Sequence, residues 1–125
     1  MSSKDPGKAA YVLIIEDERP IALLLQTIVR GLGHESAIAG DGAAGLAEAH
    51  RRKPDLILLD MILPIMSGWE FLKAAENDTY LAGVPIVLVS TVDRVEQELQ
   101  NQYRLIAKPF GPDTVRRAVT ETLGT

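Results

Sequence analysis

The 125-residue sequence has no cysteine, no long apolar run and no excess of basic residues. Without cysteine, neither a disulfide bond nor a thiolate metal site can form. No apolar run approaches the ~20 residues of a membrane-spanning helix, and no signal-peptide pattern precedes Tyr11. The net charge of −4 gives no reason to expect nucleic acid binding. We therefore expect a cytoplasmic protein that binds neither membranes nor nucleic acids.

What the chain does have is enough apolar material for a core. Its length is that of one domain, and 46% of its residues are hydrophobic. Residues 1–8 are polar and include Pro6 and Gly7, which predicts a flexible tail. Residues 9–125 should form a single domain, and nothing after Leu123 is expected to add an output domain.

The central stretch is the apolar run at residues 56–59, which ends in Asp60. An apolar run without alternation is typical of a strand covered on both faces. Asp60 therefore lies where a central strand leaves the core. Taken alone, an Asp at such a place is more often a helix cap or a turn residue than a catalytic group.

Strands and helices alternate along the rest of the chain. Apolar runs predict four further strands at residues 11–15, 34–39, 85–89 and 105–107. Helical signals between them predict helices that begin near Pro20, Asp41, Ser67 or Gly68, Val92 and Pro112. In the fourth helix, Val92, Val95 and Leu99 would share one apolar face. Five alternations predict an α/β fold with a parallel sheet and helices on both faces.

In such a sheet, the carboxyl ends of the strands meet at one edge, where ligands bind. Those ends carry Glu16, Asp17, Asp60, Ser90 and Lys108. Three clustered carboxylates repel one another unless a cation lies among them, and Mg²⁺ suits oxygen ligands of this kind. A carboxylate beside Mg²⁺ can attack a phosphoryl group, while an ammonium and a hydroxyl group stabilise the phosphoryl oxygens.

These residues resemble the receiver domain of two-component response regulators, and chemotaxis receivers in particular. The motifs are the pair Glu16-Asp17, residues 60–68, Ser90, and Lys108 followed by Pro109 and Phe110. The similarity runs from Tyr11 to about Leu123. It implies a flavodoxin-like fold with strand order 2-1-3-4-5 and a cis peptide between Lys108 and Pro109.

The resemblance also implies a magnesium site. Asp17 and Asp60 would bind Mg²⁺ directly, together with the backbone carbonyl of Ile62, whereas Glu16 would act largely through water.

The same resemblance implies a phosphorylation reaction. Asp60 would accept a phosphoryl group from a histidine kinase or a histidine phosphotransfer protein, and Ser90 and Lys108 would contact the phosphoryl oxygens. The chain would promote its own phosphorylation and dephosphorylation but turn over no external substrate. Its output would be a contact with a downstream protein or relay of the phosphoryl group, as a monomer or a phosphorylation-dependent dimer.

The sequence departs from the family pattern around the predicted switch. Thr91 replaces the usual Ala or Gly, and Leu105 occupies the place of an aromatic residue, with Tyr103 out of register. The segment between Ser90 and Lys108 is about one helical turn shorter than usual. These differences predict that residues 92–100, rather than a rotating ring, report the phosphorylated state.

Ile62 and Val92 occupy positions that, by resemblance, border the path of the hydrolytic water. Both side chains are apolar and branched, so neither can hold a water molecule by a hydrogen bond. The sequence therefore predicts a long-lived phosphorylated state.

Parts of the sequence are also compatible with three other functions. Residues 40–45 fit the G-x-G-x-x-G pattern of dinucleotide-binding proteins, but they follow the second strand rather than the first. An aspartate-based phosphatase usually has a second Asp where this chain has Ile62. A pure interaction module would not need the acids, Ser90 and Lys108. His34 and His50, at the ends of predicted elements, are expected at the surface.

Overall fold

The computed structural model describes residues 9–124, so the predicted flexible tail at residues 1–8 lies outside it. Five parallel strands form one sheet in the order β2-β1-β3-β4-β5, as the family resemblance implied. The strands are β1 (Tyr11–Ile15), β2 (Glu35–Ala39), β3 (Leu56–Asp60), β4 (Ile86–Ser90) and β5 (Arg104–Ala107). The helices are α1 (Arg19–Gly31), α2 (Gly42–Arg51), α3 (Gly68–Glu76), α4 (Gln97–Gln102) and α5 (Pro112–Leu123).

Strands β1 and β3 are buried on both faces, which explains why apolar and polar residues do not alternate along them. Successive residues point to opposite sides of the sheet. Ile14 and Leu58 pack on the side of α1 and α5, whereas Ile15 and Leu59 pack on the side of α2 and α3. The predicted α/β fold with helices on both faces is therefore confirmed.

The predicted helix starts at Asp41 and Ser67 are also confirmed. The Asp41 carboxylate accepts a hydrogen bond from the Ala44 backbone N–H at 2.7 Å and caps α2. Ser67 and Glu70 cap α3 reciprocally, since each side chain accepts a hydrogen bond from the other residue's backbone N–H. These caps satisfy N–H groups that have no partner inside their helices.

The prediction of one helix over residues 92–100 was wrong. Val92–Arg94 form a single 3₁₀ turn, Val95 has extended backbone angles, and α4 begins only at Gln97. The two valines of the predicted face lie in different environments, because Val92 is 51% exposed and Val95 is 5% exposed. Burial of Val95 breaks the helix into two short pieces.

The surface prediction was wrong for His34 and right for His50. His34 is 7% exposed, and its Nδ1 accepts a hydrogen bond from the Ala10 backbone N–H at 3.0 Å. A buried ring nitrogen needs such a partner. His50 is exposed, lies 2.5 Å from the Asp78 carboxylate and stacks on the ring of Tyr80.

Within residues 9–124, no helix combines the length and the apolar character that crossing a membrane requires.

Candidate functional site

The three acids predicted from the sequence meet at the carboxyl edge of the sheet. Ile15 pairs with Leu59 between β1 and β3, which places Glu16 beside Asp60. Asp17 follows on the loop above them. One carboxylate oxygen from each of the three residues lies within 4.8 Å of the others. Glu16 is 2% exposed and Asp60 is 5% exposed, whereas Asp17 is open to solvent.

Lys108 joins this cluster from the end of β5. Its Nζ lies 2.8 Å from Glu16 Oε1, 3.4 Å from Asp60 Oδ2 and 3.6 Å from Glu18 Oε2. Its backbone N–H donates to the Ser90 carbonyl at 2.9 Å, which ties the end of β5 to the end of β4. The peptide between Lys108 and Pro109 is cis, as the resemblance implied. One cation therefore faces three carboxylates.

Burial and charge shift the titration of both partners of this ion pair. Burial raises the pKa of Glu16 to about 8, and Asp60 adds to the rise while Lys108 opposes it. Burial alone would lower the pKa of Lys108, but the carboxylates of Glu16 and Asp60 outweigh it, so that this pKa is raised. The cluster favours a further positive charge, because one ammonium group does not offset its carboxylates.

The donor set suits a hard divalent cation. Glu16, Asp17 and Asp60 offer only oxygen ligands, and the described residues that line the cleft include no cysteine or histidine. Mg²⁺ binds such sites through a few carboxylates and retains several water molecules. The exposed Asp17 leaves room for those waters on the open side of the cluster.

A glycine fixes the loop that follows Asp60. The Gly68 backbone N–H donates to the Met61 carbonyl at 2.9 Å. A Cβ atom at Gly68 would lie 2.5 Å from Met61 Cα and 2.7 Å from the Asp60 carbonyl oxygen. Any larger residue would push the start of α3 away from Asp60. The Ile62 backbone N–H also donates to Asp60 Oδ1 at 3.2 Å, which orients the carboxylate.

An open cleft lies above the cluster, and it contains most of the predicted residues. Ser90 ends β4 and is 2% exposed. Ile62 and Thr91 are exposed at the rim. The residues that line the cleft are Asp17, Glu18, Asp60, Ile62, Ser90, Thr91, Arg94 and Lys108. Ser90 and Lys108 thus reach the same space as the acids, although they come from different strands.

The structure separates the other two predicted modulating residues from this cleft. Val92 is half exposed and lies outside the lining. Leu105 pairs in register with Leu88, and packs partly buried against the core on the side of α2 and α3. Tyr103, at the end of α4, packs against the same core. Leu105 thus packs against the core and does not line the cleft.

Sequence reasoning missed two residues of the cleft, Glu18 and Arg94. Glu18 directly follows the acidic pair Glu16-Asp17, and its position next to the pair is a signal from which it could have been predicted. No signal in the sequence pointed to Arg94, because it lay outside the apolar face of the predicted fourth helix, and that helix does not form.

The glycine pattern at residues 40–45 is explained by packing. The Gly42 backbone N–H donates to the Met66 carbonyl at 3.1 Å. A Cβ atom at Gly45 would lie 2.5 Å from Ile15 Cδ1. Both glycines therefore allow α2 to approach its neighbours closely.

A comparison with protein families agrees with this architecture. The model of the response regulator receiver domain matches residues 12–120. The chain belongs to this family. It is accordingly a response regulator receiver domain of two-component signalling.

Individual relatives show how far the similarity extends. The chain is 35% identical over 105 residues to the DNA-binding response regulator MtrA of Mycobacterium tuberculosis, which covers 81% of this chain and 45% of MtrA. It thus spans about half the length of the first curated relatives that it matches.

Among solved structures, the chemotaxis response regulator CheY4 of Vibrio cholerae is 28% identical, with a TM-score of 0.83 over 92% of this chain and 99% of CheY4. The receiver domain of the sensor histidine kinase PA1611 from Pseudomonas aeruginosa has the same fold. It is 23% identical, with a TM-score of 0.82 over 94% of this chain and 99% of that domain, and it was solved with a magnesium ion coordinated in its active site cleft.

Proposed function

We propose that this protein accepts a phosphoryl group on Asp60 in a Mg²⁺-dependent reaction and signals through protein contacts. The observation that carries the proposal is the position of Asp60. It ends the central strand, its carboxylate lies beside those of Glu16 and Asp17, and Lys108 Nζ is 3.4 Å from its Oδ2.

The chemistry follows from these positions. A carboxylate oxygen of Asp60 attacks the phosphorus atom of a phosphohistidine, a new O–P bond forms and the P–N bond breaks. The electron pair leaves with the imidazole nitrogen, which takes up a proton. Asp60 is suited to the attack because the Ile62 N–H and Lys108 orient its carboxylate.

Lys108 and Ser90 would stabilise the transferred group. The ammonium of Lys108 provides a compact positive charge next to Asp60, and the Ser90 hydroxyl can donate a hydrogen bond to a phosphoryl oxygen. Both side chains come from strand ends that are fixed to each other by the hydrogen bond from the Lys108 N–H to the Ser90 carbonyl. Groups fixed in advance stabilise developing charge most effectively.

Glu16, Asp17, Asp60 and the backbone carbonyl of Ile62 would hold the metal, with Glu16 acting largely through water. When bound, Mg²⁺ supplies positive charge to the phosphoryl oxygens. The acid cluster supports this role, since its oxygen-only donor set and its buried Glu16 both favour a cation.

The same proposal includes the partners of the protein and its domain organisation. The phosphodonor is a histidine kinase or a histidine phosphotransfer protein, and the output is a contact with a downstream protein target. The protein works as a monomer or as a phosphorylation-dependent dimer, and residues 9–125 form one receiver domain. We expect no turnover of an external substrate, since Ile62 stands where an aspartate-based phosphatase usually has its second Asp.

Incubation with Mg²⁺ and acetyl phosphate, followed by intact mass measurement, tests the proposal. The wild type should gain one phosphoryl group, and removal of Mg²⁺ with a chelator should prevent this. Asp60→Asn should gain none. Asp113→Asn, which changes an exposed carboxylate in α5, is the matched control and should behave like the wild type. A phosphoryl group on Asp60→Asn would overturn the proposal.

A further inference from the structure

The cleft above Asp60 contains a second cation, Arg94, in addition to Lys108. It lies in the 3₁₀ turn that follows β4. Among residues 9–124, the Arg94 side chain forms neither an ion pair nor a hydrogen bond. An unpaired guanidinium group at the rim of an acidic cleft has positive charge to offer a ligand.

The backbone of this turn is well anchored although its side chains are exposed. The Arg94 N–H donates to the Thr91 carbonyl at 3.1 Å, and the Val95 N–H donates to the Val92 carbonyl at 3.1 Å. Val95 is 5% exposed, and its carbonyl accepts a hydrogen bond from the Gln100 side chain at 2.9 Å. Local hydrogen bonds thus hold the backbone at Arg94, four residues after the end of β4 at Ser90.

The charge balance of the cleft shows what Arg94 can bind. The Nζ of Lys108 already lies within 4 Å of three carboxylates, those of Glu16, Glu18 and Asp60. These carboxylates share the charge of Lys108 with any new anion, so a second cation in the cleft would add to what Lys108 alone can offer. A phosphoryl group brings further negative charge and strong acceptor oxygens. The planar guanidinium group of Arg94 matches those oxygens in geometry and in charge.

We propose that Arg94 is a phosphoryl-binding residue of this site. It contacts the phosphoryl oxygens of the incoming donor and so increases the affinity of the cleft for that donor. The inference rests on the proposed function, because it assumes that the phosphoryl group arrives at Asp60. The 3₁₀ turn at Val92–Arg94, which stands in place of part of the predicted helix, would then serve to position Arg94 at the cleft.

Initial rates of phosphorylation by acetyl phosphate, measured by intact mass over a range of donor concentrations with Mg²⁺ present, test this role. The half-saturating donor concentration should rise about threefold to tenfold in Arg94→Gln, with a smaller change in the maximal rate. Arg94→Lys keeps the positive charge but not the planar guanidinium group, so its half-saturating donor concentration should lie between those of the wild type and Arg94→Gln. Added salt should weaken donor binding more in the wild type than in Arg94→Gln.

Two controls separate this role from general effects. Arg117→Gln removes one positive charge from the exposed side of α5 and should match the wild type. The thermal midpoint of Arg94→Gln should also equal that of the wild type, because the Arg94 side chain has no hydrogen bond or ion pair to lose within the described residues 9–124.

The results that would contradict the inference about Arg94 differ from those that would contradict the proposed function. The inference about Arg94 is overturned, and the proposed function stands, if the wild type is phosphorylated and Arg94→Gln has the same half-saturating donor concentration. The same conclusion follows if Arg117→Gln raises that concentration as much as Arg94→Gln does. If the wild type takes up no phosphoryl group, the proposed function is overturned and the inference with it.

Discussion

The Nζ atom of Lys108 lies 3.4 Å from Oδ2 of Asp60, although 48 residues separate the two along the chain. Two parallel strand ends bring them together, since β4 lies between β3 and β5. The same edge carries Glu16 and Asp17. The proposed phosphoacceptor, a cation and the proposed metal-binding acid pair thus come together from three segments that are distant in sequence.

Asp17 is the most exposed of the three clustered acids, and its replacement tests the metal site with the least effect on the core. Asp17→Asn removes one charged ligand and should weaken Mg²⁺ binding about tenfold or more. Titration calorimetry with Mg²⁺ measures the change. Asp113→Asn should bind like the wild type, and an Asp17→Asn protein with unchanged affinity would exclude Asp17 as a ligand.

The lifetime of the phosphorylated state depends on how water reaches the phosphoryl group. Ile62 is 47% exposed and lines the cleft, so it should matter more than Val92, which lies outside the lining. In the double variant Ile62→Asn/Val92→Glu, a positioned water should speed the decay after donor removal about threefold to tenfold. The single variant Ile62→Asn should account for most of this effect.

The control for the lifetime prediction is Leu23→Asn, which changes an exposed apolar residue of α1. Its phosphoryl group should decay as in the wild type. Equal decay rates in the double variant and the wild type would show that apolar side chains at these two positions do not protect the phosphoryl group.

Signalling should change the segment between β4 and β5. The turn at Val92–Arg94 and α4 contain no buried residue, so few side-chain contacts with the core resist a shift of the segment, although local hydrogen bonds preserve the shape of the turn. A phosphoryl group that draws in the Ser90 hydroxyl should move this segment. NMR chemical shifts should therefore change mainly within residues 91–105. Changes that cluster elsewhere would exclude this segment as the signalling surface.

Glu48 gives a pH dependence that is independent of the site. Hydrogen bonds from Arg51 and Tyr11 lower the pKa of Glu48 to about 2 from its usual 4.5. A carboxyl group with a lowered folded-state pKa contributes stability that is full above the unfolded pKa and is lost as the pH falls through the folded pKa. Glu48→Gln should lower the thermal midpoint at neutral pH and reduce its decline between pH 4.5 and 2.

Glu98→Gln, at an exposed position of α4, is the matched control for this pH dependence. It should leave the midpoint and its pH profile unchanged. A Glu48→Gln profile parallel to that of the wild type down to pH 2 would contradict the assignment.

The sequence was enough to predict the sheet and the position of the acids. Strands buried on both faces need unbroken apolar runs, and their ends are marked by the first polar residue, as at Asp60 and Ser90. Helix starts at Asp41 and Ser67 were predictable because a cap needs a particular side chain at one position.

The helix over residues 92–100 was not predictable in this way. Its apolar spacing suits a helix, but packing of Val95 against the core determines the backbone instead. His34 was misjudged for a related reason, because its partner is a backbone N–H of Ala10, 24 residues away. Arg94 lines the cleft from the 3₁₀ turn that stands in place of the predicted helix, and no local sequence pattern marked that turn.

Chemical mapping of the phosphorylated residue tests most directly whether Asp60 carries the phosphoryl group. After incubation with Mg²⁺ and acetyl phosphate, borohydride reduction converts an aspartyl phosphate to homoserine, which tandem mass spectrometry of peptides can locate. Homoserine should appear at position 60 in the wild type, only with Mg²⁺ present, and should be absent from Asp60→Asn. Homoserine at another aspartate, or at none, would contradict the account.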